Sequence, residues 1–191
     1  MNRSFLFLAP GFEEIEALTV VDVMRRAGMD IKTVSIIPEH KVTGANGIIV
    51  EADLLFSKAR FDNIEWLITP GGMPGSSNLA QYAPLGTLLK EHAAKGGKIA
   101  AICAAPAVVL GSLGLLDGRE CTGYPGTQAS VPKAMWRDAP VIALDNLITA
   151  NGPASALRFA LAIVAGSMGE SIAQQIGSGM LFYPKSMNFY F

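Results

Sequence analysis

IAAICAAPAVVLGSLGLL, residues 99–116, has no charged side chain and is long enough on hydropathy alone to cross a bilayer. Whether it is one helix or a strand turning into a helix decides the fold. A membrane helix would carry Pro106, Gly111 and Gly114 in its body, with Lys95 and Lys98 as its nearest basic anchors. A strand from Lys98 to Ile102, a sharp turn at Cys103 and a helix from about Ala105 to Leu113 accounts for every one of these features. Pro106 then falls in the first helical turn, where a missing N–H costs little. Alanines on both sides of Cys103 leave room for a tight corner, the arrangement that exposes the nucleophile in α/β hydrolases.

Working outward, strand-like runs rich in Val, Ile, Leu and Phe alternate with helical patterns along the chain. That alternation is the mark of a parallel sheet with helices on both faces. SFLFLA is a first strand, Glu13 to Ala27 a helix closed by Gly28, and IKTVSII a second strand. VTGANGIIVEA holds Asn46-Gly47 between apolar flanks, which predicts a hairpin standing off the main sheet. IEWLITP is a buried strand leading into the glycine-rich loop GGMPGSSN, and PLGTLLKEHAAKGG is a helix stopped by Gly96-Gly97. A second hairpin turns at Asp145-Asn146, after which Pro153 opens a helix. The aromatic tail LFYPKSMNFYF is expected to dock on the domain or on a partner subunit.

With 191 residues, 50% hydrophobic and 16% charged, the chain suits one domain, residues 1–191, whose sheet is buried on both faces. A formal net charge of −1 and the lack of any Lys/Arg cluster give no electrostatic case for nucleic acid or an anionic membrane. The start, MNRSFLFLAPGFEE, is interrupted by Pro10 and Gly11 before a signal-peptide core is complete. With two cysteines, Cys103 and Cys121, the expectation is free thiols in a reducing cytoplasm.

Cys103 at the carboxyl end of a parallel strand lies where open α/β sheets bind ligands. A helix N-terminus there would favour thiolate and lower its pKa. The competing possibility is a small core hydrophobe, since free cysteine is often buried; Cys121 reads as core. At 100° per residue, Glu16 shares a face with Val20, Val23 and Ala27, while Glu14 falls on the opposite side with Leu18 and Arg25. A carboxyl on an apolar stripe prefers its neutral form and, neutral, can donate a hydrogen bond to a thiolate. Fraying at the helix start would instead leave Glu16 solvated. GGMPG lacks the spacing and Lys-Ser/Thr of a Walker loop and is no dinucleotide fingerprint. Its small residues suit backbone donors aimed at a reacting oxygen.

LAPGFEEIEALTVVDVMRRAG, TPGGMPGSSNL, KIAAICAAP and TANGPASALRFALAIV, in this order, resemble the ThiJ/PfpI superfamily, in the branch of the parkinsonism-associated protein deglycase and the bacterial chaperone YajL. The resemblance implies a flavodoxin-like α/β three-layer sandwich of the class I glutamine amidotransferase type, a homodimer, and Cys103 as the reactive residue on a nucleophile elbow. It also implies Glu16 as the protonated acid at the thiolate and the backbone N–H groups of Gly72 and Ala104 as an oxyanion or substrate-oxygen pocket. Members of this branch act on methylglyoxal, glyoxal or early glycation adducts of amines and thiols, or sense oxidants through the same cysteine.

The chain departs from this pattern at several positions. Ala104 stands where protease-like members place a histidine, and Tyr124-Pro125 where the deglycase has His-Pro; Tyr124 is expected to be a hydrogen-bond donor or pocket wall. Asn46 and Asn151 are neutral where the branch often has arginines around an anion spot. His40 and His92 lie outside the motifs, so proteolysis and glutaminase chemistry, which need a base and a general acid, are disfavoured. The expected function is a glyoxalase III or deglycase-like enzyme with no metal and no cofactor, converting α-oxoaldehydes to 2-hydroxy acids. Its alternatives are an oxidative-stress sensor or chaperone acting through oxidation of Cys103, and a degenerate homologue.

Overall fold

The protein is described over residues 2–182 by a computed structural model. In chain order the elements are β1 (Arg3–Leu8), α1 (Glu14–Arg26), β2 (Asp30–Ser35), β3 (Lys41–Thr43), β4 (Ile49–Glu51), β5 (Leu54–Leu55), β6 (Ile64–Thr69), α2 (Gly75–Gln81), α3 (Ala83–Ala94) and β7 (Lys98–Ile102). After β7 come β8 (Glu120–Cys121), β9 (Met135–Trp136), β10 (Val141–Ala143), β11 (Leu147–Ala150), α4 (Ala156–Met168) and α5 (Glu170–Gly179).

Strand periodicity builds two cores from one sheet. Side chains alternate across a strand, so in β1 Leu6 and Leu8 face one way and Phe5 and Phe7 the other. The first pair packs with Val20, Met24, Phe159 and Ile163 of α1 and α4. The second packs with Leu79 of α2, Leu85 and Leu89 of α3, and Val109 and Leu110 beyond β7. The seven-stranded sheet runs β10-β11-β7-β6-β1-β2-β5, parallel throughout except for the β10–β11 hairpin. Leaving aside β5 and the edge strand β10, its order is the flavodoxin one, reversing direction between β1 and β6. Ligands of such sheets bind outside the carboxyl ends of the strands at that reversal.

The hairpin at Asn46-Gly47 is present as β3–β4, a two-stranded sheet of its own. β7 occupies the expected residues, but the following segment is not an α-helix. Pro106–Leu110 form a π-helical turn, closed by Gly111 N–H donating to the Pro106 carbonyl, and Gly111–Leu113 a 3-10 turn ended by Gly114 at φ 74°. Pro106 offers no N–H to a tighter ladder, and Gly111 lies where a Cβ would come within 2.3 Å of Val131. The expected GGMPGSSN loop is shorter than its composition suggests, because α2 starts at Gly75 directly after Pro74. The side-chain amide of Asn78 then ties α2 to the Pro10 carbonyl at 2.8 Å. Cys121 is buried as expected. Arg25 and Arg26 make surface ion pairs with Asp53 and Asp22. Of the aromatic tail, residues 183–191 lie outside the described residues.

Glu14 lies on the other side of α1 from Glu16, and that side is not left to solvent. It is buried, because the β3–β4 hairpin folds over the start of α1. Its Oε1 accepts from the backbone N–H of Asn46 at 2.7 Å and of Ile48 at 3.4 Å, and its Oε2 from the Asn46 side-chain amide at 2.8 Å. Burial raises this carboxyl, but those hydrogen bonds outweigh it and hold it below its ordinary value. A carboxyl lowered in this way stabilises the fold above its unfolded pKa and loses that contribution as pH falls through its folded value. Glu14→Ala is therefore expected to cost about 1–3 kcal/mol at neutral pH, the scale for donors left unpaired. In denaturant titrations the cost should shrink below the usual glutamate range near ~4.3. An undiminished cost in acid would mean that the carboxylate charge does not hold the hairpin.

Candidate active site

The reversal in strand order brings three segments together: the turn after β1 leading into α1, the loop after β6, and the corner after β7. Cys103 forms that corner with φ at 65°. A left-handed conformation costs a non-glycine residue about 1–2 kcal/mol, and two backbone bonds hold it in place. Cys103 N–H donates to the Ala150 carbonyl of β11 at 2.9 Å, and its carbonyl accepts from Tyr124 N–H at 2.7 Å. The bend turns the side chain toward α1 and the β6 loop. Ala104 and Ala105, which follow the corner, are buried. The residue is buried, with 8% of its surface exposed.

Gly71 is the contact point of the three segments. A Cβ built on it would lie 2.5 Å from Cys103 Cβ, 2.6 Å from Glu16 Oε2 and 3.0 Å from Cys103 Sγ. Its N–H donates to Glu16 Oε2 at 2.7 Å and its carbonyl accepts from Glu13 N–H at 3.0 Å. Gly72, at φ 89°, passes so close to the β1 turn that a Cβ would fall 2.5 Å from both Gly11 O and Glu13 N. Sequence reasoning selected Gly72 and missed Gly71 and Glu13. The adjacent glycines in TPGG were the available signal.

Glu16 is fully buried on the predicted stripe, with Val20 and Val23 equally inaccessible. Its Oε1 has no hydrogen-bond partner among the described protein groups that meets standard geometry. Burial dominates and pushes the carboxyl up to about 7, against the opposing hydrogen bonds from Gly71 and the Cys103 side chain; the charge of Glu13 adds to the rise. Burial thus shifts Glu16 toward its neutral form.

The expectation of a thiol acidified by a helix end is not met. Burial first, then the charge of ionised Glu16 and the hydrogen bond to it, push Cys103 up to about 12. The N–H groups of Gly72 and Ala104 donate to the sulfur and favour thiolate, but are outweighed. A π-helical turn begun by proline supplies less of a dipole than the α-helix assumed. Two acids in contact lose their protons in two steps that belong to the pair. Burial and mutual contact oppose ionisation of both groups, so the second proton leaves at much higher pH than the first, and between the two steps the pair holds one proton and one negative charge. With two N–H donors on the sulfur and an unpaired carboxyl oxygen to carry the proton, that monoanion can take the form of a thiolate beside a carboxylic acid.

The other sequence candidates have these partners. Tyr124 is joined to the corner through its backbone, and its half-exposed side chain flanks Gly152, 3.7 Å from where a Cβ would lie. Asn46 is corrected: its amide is committed to Glu14 rather than to the site. Asn151 follows β11 directly, and its Oδ1 accepts from Ser155 Oγ at 2.6 Å. The rings of His40 and His92 lie against the carbonyls of Ala52 and Lys98. No cluster of three His, Cys, Asp or Glu residues among the described residues could hold a metal ion. No helix among them is long and apolar enough to cross a membrane, and residues 99–116 are not one helix.

Alkylation of Cys103 by iodoacetamide, a neutral reagent, is expected to rise with the first ionisation of the Glu16–Cys103 pair. In Glu16→Gln no carboxyl can release or hold the proton, and burial should move the inflection above the ~8.5 of a free thiol. An unchanged inflection in Glu16→Gln would separate the two groups. Gly71→Ala, which drives a methyl between carboxyl and sulfur, should alter the same profile.

Residues 2–166 match the DJ-1/PfpI family. Protein dj-1beta of Drosophila melanogaster is 33% identical over 184 residues, covering 95% of this chain and 98% of that protein. A glutathione-independent glyoxalase, DJR-1.2, of Caenorhabditis elegans is 33% identical over 165 residues, covering 85% of this chain and 88% of that one. An oxidised DJ-1 from Toxoplasma gondii superposes with a TM-score of 0.91 at 35% identity, covering 95% of this chain and 99% of that chain. The sandwich expected from the four motifs is the fold of these neighbours, and the chain belongs to the DJ-1/PfpI family.

Proposed function

We propose that this chain is a cofactor-independent enzyme that converts reactive α-oxoaldehydes, or the adducts they form with amines and thiols, to 2-hydroxy acids through Cys103 and Glu16. The observation that carries the proposal is a buried carboxyl raised to about 7, with one oxygen unpaired, beside a cysteine at a strained strand-to-helix corner. The glyoxalase among the relatives supports the choice of substrate class.

In the proposed sequence the Cys103 thiolate adds to the aldehyde carbon. A C–S bond forms while the carbonyl π pair moves to oxygen, which takes the proton held by Glu16. The N–H groups of Gly72 and Ala104, which favour negative charge on the sulfur, are the donors that would receive the oxygen on the carbon bonded to it. The Glu16 carboxylate then removes the proton from that carbon and returns one to the neighbouring carbon through an enediol. The product is a thioester of the 2-hydroxy acid, which water hydrolyses to release the acid and regenerate the thiol. Oxidation at one carbon balances reduction at the next, so no external redox partner is needed. Amide hydrolysis gains no support, since neither histidine ring is committed to the cysteine.

With methylglyoxal as substrate and lactate as the readout, Cys103→Ser and Glu16→Gln are each expected to lower kcat/KM by about a hundredfold or more, the scale of a lost nucleophile or general acid–base. Turnover unaffected by either change would rule the mechanism out. A second reading, an oxidant sensor, draws on the same carboxyl, which as a neutral acid can donate to a sulfinate formed on Cys103 by peroxide. Selective gain of two oxygens at Cys103 after mild peroxide, with no aldehyde turnover, would favour the sensor over the enzyme.

A further inference from the structure

In an ordinary capping box the residue before the helix accepts from the N–H three positions on, and the acid at that position reaches back to the cap's own N–H. Only half of that arrangement is present in α1. Glu13 caps the helix, its Oε2 accepting from Glu16 N–H at 2.8 Å. Glu16 does not reach back. Glu13 N–H goes instead to the Gly71 carbonyl at 3.0 Å, and Gly71 N–H goes to Glu16 Oε2 at 2.7 Å. The peptide groups of Gly71 are inserted into the box, closing a ring of three hydrogen bonds that runs Glu13 to Gly71 to Glu16 and back to Glu13.

We propose that Glu13 is a positioning residue for the Glu16–Cys103 pair, holding the Glu16 carboxyl and the Gly71 loop in one register against the sulfur. Two consequences follow from the ring. Because the Glu13 N–H is satisfied by Gly71, the Glu16 carboxyl is not consumed in capping and keeps one oxygen free. Because the Glu13 carboxylate is fixed at the first turn of α1, its negative charge acts on Glu16 from a constant position and favours the protonated acid. The groups that act on the Glu16 charge are then Cys103 from the β7 corner and Glu13 from the cap, while the β6 loop contributes backbone donors and no titratable side chain. The proposal deepens the reading of this pair as the reactive centre and does not depend on aldehyde chemistry.

The test is the pH profile of iodoacetamide alkylation at Cys103, read without any substrate, in Glu13→Gln and Glu13→Ala. Glu13→Gln keeps a carbonyl oxygen for the Glu16 N–H and removes the charge. It should retain the plateau rate and shift the inflection to lower pH, since Glu16 ionises more easily without a neighbouring anion. Glu13→Ala also opens the ring, and should add a loss of plateau rate of about tenfold, the scale of one charge-assisted hydrogen bond. Recovery of the plateau in Gln but not in Ala separates positioning from charge. A merely structural cap would lower the melting temperature in Ala and leave both profiles like the wild type, and that result would overturn the proposal. If the profiles behave as expected while methylglyoxal is not turned over, the positioning role stands and the aldehyde reading fails.

Discussion

The contact between Glu16 and Cys103 is the constraint on which the rest of the site depends. Each group is an acid removed from water, and burial opposes ionisation of both. In contact they cannot both be charged near neutrality, so the pair gives up at most one of its two protons there. Neither side chain alone explains a reactive sulfur: the cysteine by itself is a poor acid, and the glutamate by itself is a buried carboxyl with an unpaired oxygen. Their pairing turns two unfavourable burials into one anion with a proton donor beside it.

Maintaining that contact takes most of the architecture around the carboxyl ends of β1, β6 and β7. The corner at Cys103 is strained, and its strain is met by backbone bonds to β11 and to Tyr124. The β6 loop approaches so closely that side chains at Gly71, Gly72 or Gly75 would strike backbone or the reacting groups. Gly75, whose Cβ would fall 2.5 Å from Gly11 O, anchors α2 on the β1 turn in the same way. Below these turns the two cores lock the sheet between helices, and well-packed interiors resist the small shifts that would separate carboxyl from sulfur. On the far side of α1's first turn, the hairpin clamps Glu14, so the start of this helix is fixed from both sides.

Much of this was legible in the residues because it follows from periodicity and punctuation. The alternating run of β1, the limits of β7, the Asn46-Gly47 hairpin and the apolar stripe carrying Glu16 are local properties of the chain. What was not legible depends on contacts between distant segments. The helical wheel set Glu14 opposite the Glu16 face, and nothing in α1 indicates that residues 44–48 fold over it. The composition of residues 105–113 suits an α-helix, and the π-helical turn there follows from Pro106 and from packing against Val131. The direction of the thiol's shift was misread because a helix dipole can be inferred from sequence, whereas burial and a carboxylate delivered by another element cannot. Gly71 escaped notice because its role is visible only when three loops meet. Cys103 and Glu16 stand out in the sequence, whereas the inserted capping box around Glu16 exists only once the β6 loop packs against α1.

The central claim concerns where the remaining proton resides in the singly ionised pair. Carbon-13 labelling of the glutamate carboxyls, with Glu16→Gln to assign its signal, reports the protonation of Glu16 while ultraviolet absorbance reports the thiolate of Cys103 in the same sample. Between the pair's two ionisations a reactive sulfur requires thiolate absorbance together with a Glu16 signal still at its protonated position. A Glu16 signal fully at its carboxylate position with no thiolate absorbance would place the proton on sulfur and contradict the account.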